Sequence, residues 1–189
     1  MQVEHSALPE VLILTPRRFS DARGWFSESW NRRTLREAGI DIDFVQDNHS
    51  LSHAAGTVRG LHYQAPPHAQ AKLVRVVRGA VFDVAVDARR GSPRFARWTG
   101  VELSAENGRQ LFIPAGFLHG FVTRTPDCEV LYKCSDYYAP EADGAVRFDD
   151  PELAIDWGIT PQEAVISDKD GQAPLWRDFA TPFAWEGRA

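Results

Sequence analysis

The chain has 189 residues, enough for one domain with a substantial buried core. Its formal net charge is −5, with acidic and basic side chains interleaved; this argues against nucleic-acid binding, and no apolar run is long enough to cross a bilayer as a helix. The stretch Met1-Gln2-Val3-Glu4-His5 is not a basic region leading into an apolar one, so an unexported, cytoplasmic protein is expected with no membrane partner; Cys128 and Cys134 read as reduced buried thiols.

In chain order, the first strand-like run is Val11 to Thr15. A short helix follows over Asn31 to Ala38, with Asn31 as its cap, Leu35 as its apolar contact and Gly39 as its end. The remaining runs are Leu73 to Val77, Val81 to Val86, Trp98 to Leu103, Gln110 to Ile113, Gly120 to Thr123 and Glu129 to Ser135. Arg78-Gly79 and Ala105-Glu106-Asn107-Gly108 are expected to close tight hairpins, and Arg90-Gly91-Ser92-Pro93 to form another break. A second short helix is expected over Pro161 to Ala164. The pattern predicts an all-β protein with short peripheral helices, one domain over residues 1–189. Its barrel core spans roughly residues 50–150, with N-terminal strands (1–49) and a C-terminal segment (151–189) packed on it. The aromatics Trp176, Phe179, Phe183 and Trp185 in that segment are expected to cover the barrel or a partner subunit.

Two segments carry chemistry. Gly108, Pro114, Gly116 and His119 have the spacing of a double-stranded β-helix, the jelly-roll or cupin barrel, where strands carry polar residues into the barrel mouth. In a metal-binding barrel of this kind, Arg59-Gly60-Leu61-His62-Tyr63-Gln64 would supply two histidines one residue apart. Here it supplies His62 and then Gln64, so the metal cluster is incomplete. Strand alternation puts Gly60, His62 and Gln64 on one face, His119 with Phe121 and Thr123, and Tyr132 with Val130 and Cys134. Lys72 opens the run that follows. A histidine, a tyrosine and a lysine around one cavity suit proton chemistry beside a carbonyl: a base, an acid, and a cation for the enolate between them. Each has a bland alternative, as a packed wall or solvated surface residue. An anionic ligand would require a local group of cations in this net-acidic chain.

The motifs Arg59 to Gln64, Ile113-Pro114-Ala115-Gly116-Phe117-Leu118-His119-Gly120-Phe121, Leu131-Tyr132-Lys133, Asp136-Tyr137-Tyr138-Ala139-Pro140 and Ile166-Ser167-Asp168-Lys169-Asp170 resemble the dTDP-4-dehydrorhamnose 3,5-epimerase family. So do Phe19 to Glu28 and Gln46-Asp47-Asn48. The similarity runs in matching order from about Pro9 to Pro174. The resemblance implies a metal-free, cofactor-free, homodimeric cupin that inverts C3 and C5 of dTDP-4-dehydro-6-deoxy-D-glucose. It implies His62 as proton acceptor, Asp170 as its carboxylate partner, Tyr132 as proton donor and Lys72 near the C4 oxygen. His119 would line the sugar and diphosphate region, and Arg23, Phe26, Glu28, Gln46, Asn48, Arg59, Tyr138, Asp143 and Lys169 would bind substrate, some from the second subunit.

Two points sit awkwardly with that carry-over. Alternation places Arg59 opposite His62, so a bulge near Gly60 is required if both touch ligand. The family often has glutamate where this chain has Asp143, which alters a nucleotide contact. Three other readings remain open from sequence: a monofunctional 3- or 5-epimerase of a related sugar nucleotide, a metal-dependent cupin, and a non-catalytic sugar-nucleotide binder.

Overall fold

The computed structural model describes residues 1–187; Arg188 and Ala189, at the end of the expected domain, lie outside the described residues. The strands are β1 (Gln2–His5), β2 (Leu12–Thr15), β3 (Arg18–Asp21), β4 (Gly24–Ser27), β5 (Gln46–Ser52), β6 (Val58–Gln64), β7 (Lys72–Arg78), β8 (Ala80–Asp87), β9 (Trp98–Ser104), β10 (Gln110–Ile113), β11 (Phe117–Thr123), β12 (Cys128–Cys134) and β13 (Asp143–Ala145). Two short α-helices accompany them, α1 (Arg32–Glu37) and α2 (Asp168–Gly171). Six strands form one sheet in the order β1-β2-β10-β7-β12-β5, and five form a second in the order β13-β6-β11-β8-β9. The hairpin β3–β4 stands apart from both. This is the expected jelly-roll of the cupin type, with β2 built into the wall rather than packed outside it.

Each predicted strand is present within a few residues, and β11 starts at Phe117, early enough to include His119. The two predicted hairpins are not hairpins. β7 and β8 belong to different sheets, as do β9 and β10, so at Arg78-Gly79 and Ala105–Gly108 the chain crosses from one sheet to the other. The turn residues record a sharp reversal with left-handed backbone, φ +76° at Gly79 and +64° at Gly108, but not which strand the next one pairs with. A Cβ on Gly79 would meet Thr125 Oγ1 at 2.2 Å.

The helix expected at Asn31 forms as α1, with the Asn31 side chain accepting from Arg33 and Thr34 N–H and Leu35 buried. The helix expected at Pro161–Ala164 does not form. That segment is a turn, closed by the Glu163 carboxylate accepting from the Thr160 N–H at 2.7 Å and hydroxyl at 2.9 Å. The nearby helix is instead α2, capped by Ser167, whose Oγ accepts from the Asp170 N–H at 3.1 Å.

Between the sheets, Val74, Val76, Val81, Leu111, Phe121 and Val130 pack into an apolar core. The outer face of the five-stranded sheet is covered by the C-terminal segment through Trp157, Trp176 and Phe183, with Phe179 against Tyr63. α1 and the residues after it cover part of the other outer face with Leu35 and Ile40. The space between the sheets turns polar beyond this core: on β7 the inward face carries Val76, Val74 and then Lys72, and on β12 it carries Val130 and then Tyr132.

Candidate active site

The geometry begins with a bulge. Across β6 and β11, His62 stands opposite His119 and Arg59 opposite Phe121, so three steps on β6 match two on β11. The extra residue turns Arg59 to the same side as His62, which resolves the parity problem in the sequence. Gly60 permits it: its φ is +127°, and a Cβ there would lie 2.5 Å from the Gly120 Cα. Any side chain at Gly60 would push β6 off β11.

His62 is half-buried, and its Nε2 lies 2.6 Å from Asp170 Oδ1. Asp170 is buried on α2, and its other oxygen accepts a long bond of 3.4 Å from the Gly60 N–H. Burial alone would raise the Asp170 carboxyl. The hydrogen bond to His62 and its charge, helped by Gly60 and Ser167, overcome that and hold it below the usual carboxylate range. Asp170 is therefore an anion, able to fix the ring of His62 and to face an imidazolium when one forms.

Tyr132 and Lys72 project from the opposite sheet. Together with His62, His119, Arg59 and Asp170 they line a cleft of about 410 Å³. An adjoining cavity of about 240 Å³ shares His62, Lys72, Tyr132 and Lys169 and extends to Asn48 and Tyr138. Burial raises the Tyr132 phenol above its ordinary value, so it is protonated at neutral pH. Burial lowers Lys72, an effect partly offset by Cys134, Asp83 and Asp143. The Lys72 Nζ lies 6.0 Å from the Tyr132 ring centre.

His119 is buried beside His62, and its Nε2 contacts both oxygens of Asp83 at 3.0 and 3.1 Å. Burial lowers its pKa, opposed by Asp83 and reinforced by Lys72 and His62. Asp83 was not singled out in the sequence. Its signal was a carboxylate inside the apolar run Val81 to Val86, at a position whose alternation faces inward.

The other candidates divide into two groups. Gln46 accepts from the Tyr138 N–H at 2.9 Å and donates to Asn48 Oδ1 at 3.0 Å. Asp143 accepts from the Tyr138 hydroxyl at 3.3 Å and pairs with Lys169 at the rim. Arg59 donates to Ser52 Oγ at 3.2 Å and to the Leu51 carbonyl at 3.0 Å, so Ser52, unremarked in the sequence, orients the guanidinium. Arg23, Phe26 and Glu28 form the second group: they lie on or next to the β3–β4 hairpin and do not line this chain's cleft. Arg23 pairs locally with Asp21, and Glu28 accepts from Asn31.

Gln64 is a strut rather than a stand-in ligand. Its amide donates to the His68 and Tyr137 carbonyls and accepts from the Ala139 N–H. Among the described residues, no group of three or more His, Cys, Asp or Glu is arranged to hold a metal ion.

Residues 5–178 match the family model described as dTDP-4-dehydrorhamnose 3,5-epimerase. The chain belongs to that family. A Pseudomonas aeruginosa dTDP-4-dehydrorhamnose 3,5-epimerase is 52% identical over 180 residues, 94% of this chain and 97% of the relative. A Legionella pneumophila dTDP-6-deoxy-D-glucose-3,5-epimerase, solved in complex with dTDP-4-keto-L-rhamnose, superposes with a TM-score of 0.93 at 43% identity, covering 100% of this chain and 99% of its own. The chain also resembles a Streptomyces bikiniensis 3'-monoepimerase solved with dTDP-quinovose, at 38% identity and a TM-score of 0.83, covering 91% and 87%.

Proposed function

We propose that the enzyme inverts C3 and C5 of dTDP-4-dehydro-6-deoxy-D-glucose, giving dTDP-4-dehydro-L-rhamnose. The observation that carries this reading is that His62 and Tyr132 stand on opposite sheets and line one cleft. C3 and C5 both flank the C4 ketone, so one carbonyl acidifies both C–H bonds. His62 takes a proton from one face, the C–H electron pair moves onto the C4 oxygen, and Lys72 faces the enolate. The enolate then collapses as Tyr132 delivers a proton to the other face, inverting the centre. The imidazolium and tyrosinate reset by proton exchange with water. A shift of the ring in the cleft brings the second carbon to the same pair, and the proton transfers consume no cofactor.

His119, held neutral beside Asp83, lines the sugar side, and Arg59 and Lys169 supply cationic contacts for the diphosphate. Gln46, Asn48, Tyr138 and Asp143 form the rim on the nucleotide side. Arg23, Phe26 and Glu28 serve a neighbouring cleft in a homodimer. The exposure of Phe26, 70%, and Trp25, 60%, on the free-standing hairpin supports that assembly, and light scattering would report a dimer mass.

Turnover of the substrate in D2O, followed by NMR, tests the activity. Deuterium is expected at both C3 and C5. Incorporation at one of the two carbons alone would move the enzyme to the monofunctional 3- or 5-epimerase reading, and incorporation at neither would overturn the proposal.

A further inference from the structure

The inward face of β5 presents Gln46, Asn48, Ser50 and Ser52 in alternation. Three of the four are committed to holding other parts of the site. Gln46 ties down the Tyr138 backbone and Asn48, the Asn48 amide donates to Cys134 Sγ at 3.6 Å, and Ser52 accepts from Arg59. Ser50 differs. Its Oγ is shielded from solvent and has no hydrogen-bond partner among the described residues, yet the residue lines the cleft with His62, Arg59 and Tyr132. In register it faces Val130, two positions before Tyr132, and its neighbours Leu51 and Ser52 are the anchors of the Arg59 guanidinium.

A hydroxyl sequestered without a partner is unfavourable, and buried polar groups that persist in this state call for an explanation. One step about the serine χ1 carries the hydroxyl to another staggered position. We propose that Ser50 is a ligand-binding residue whose hydroxyl turns into the cleft and donates to an oxygen of the diphosphate beside Arg59. The inference rests on reading the cleft as a nucleotide-diphosphate-sugar site. The diphosphate is the recipient because the reacting sugar carbons must lie between His62 and Tyr132, whereas Ser50 adjoins the two residues that aim Arg59. A diphosphate oxygen would give this hydroxyl the partner that no described residue supplies.

The test is calorimetric titration of dTDP, without sugar, into the full-length wild type and Ser50→Ala, alongside thermal melting of each. Ser50→Ala is expected to weaken dTDP binding about tenfold, as loss of one hydrogen bond to a charged group does, while the unliganded variant melts no lower than the wild type. An unchanged dTDP affinity would overturn the proposal. So would a lowered melting temperature with unchanged affinity, the mark of a purely structural hydroxyl. Failure of the wild type to bind dTDP would instead strike the underlying reading of the cleft, and the inference with it.

Discussion

Two histidines, His62 on β6 and His119 on β11, stand side by side, each paired with an aspartate from another element, and the two pairs differ in burial. In the first pair the His62 side chain is 32% exposed and its distance to Asp170 is 2.6 Å; in the second, His119 is 8% exposed and sits 3.0 Å from an Asp83 with no exposure. The partners also come from different places. Asp170 is delivered by a short helix more than a hundred residues along the chain, while Asp83 is built into β8, the strand next to His119. The chemistry is the same and burial differs. In the proposed mechanism, His62 receives a proton from a ligand in the cleft and passes it to water. His119 is enclosed and held neutral by burial, suited to a fixed hydrogen bond and unsuited to cycling its charge.

The largest expected effect separates the two pairs by function. His62→Asn should lower turnover about 10³-fold, within the range for loss of a general base, while circular dichroism and melting temperature stay near wild type. His119→Ala should do the reverse in emphasis. It leaves the Asp83 carboxylate buried without its partner, and denaturant titration should show a loss of about 3 kcal/mol. Equal destabilisation by both substitutions would erase the distinction drawn here.

Asp170→Asn sharpens the comparison within the first pair. Steady-state kinetics should show turnover reduced about 10²-fold, from loss of ring orientation and of the charge facing the imidazolium. The pH dependence follows from the depressed carboxyl. Its folded pKa lies below its unfolded value, so it contributes stability above about pH 4, which is lost as the pH falls through the folded pKa. Any stability advantage of wild type over Asp170→Asn should therefore shrink on acidification below that point, as measured by urea titration at stepped pH.

Lys72→Met is expected to give the smallest stability change, with the opposite sign. Burial lowers the Lys72 pKa in the fold, so carrying the ammonium costs stability at every pH below its unfolded value near 10.4. The methionine variant should gain about 1 kcal/mol at neutral pH in a denaturant titration, and it should lose turnover. A loss of stability would place Lys72 in a structural role instead.

Much of this contrast was legible before the structure. The short apolar runs that became β7, β8 and β9 announced an all-β fold, and the Gly108–Pro114–Gly116–His119 spacing announced the barrel. The parity conflict between Arg59 and His62 already required a bulge at Gly60, and the register of β6 on β11 supplies it. What sequence alone does not encode is pairing between distant segments. Alternation puts His62 on a face but has nothing to say about Asp170, whose approach depends on how the loop after β13 returns to β6. The same blindness turned Arg78-Gly79 into a hairpin, because a glycine turn specifies curvature and not the sheet that receives the next strand. β5 escaped for a different reason: its inward residues are polar, so it lacks the apolar rhythm that marks a half-buried strand, although they form the polar floor of the cleft.

The central claim is that one base, His62, serves both carbons while His119 serves neither as a base. Its most direct test is the rate of solvent deuterium incorporation at C3 and at C5, measured by NMR for His62→Asn and His119→Asn beside the wild type. His62→Asn should lose exchange at both positions together, and His119→Asn should retain exchange at both, more slowly. Survival of exchange at either carbon in His62→Asn, or its selective loss at one carbon in His119→Asn, would contradict the account by showing that a second base is at work.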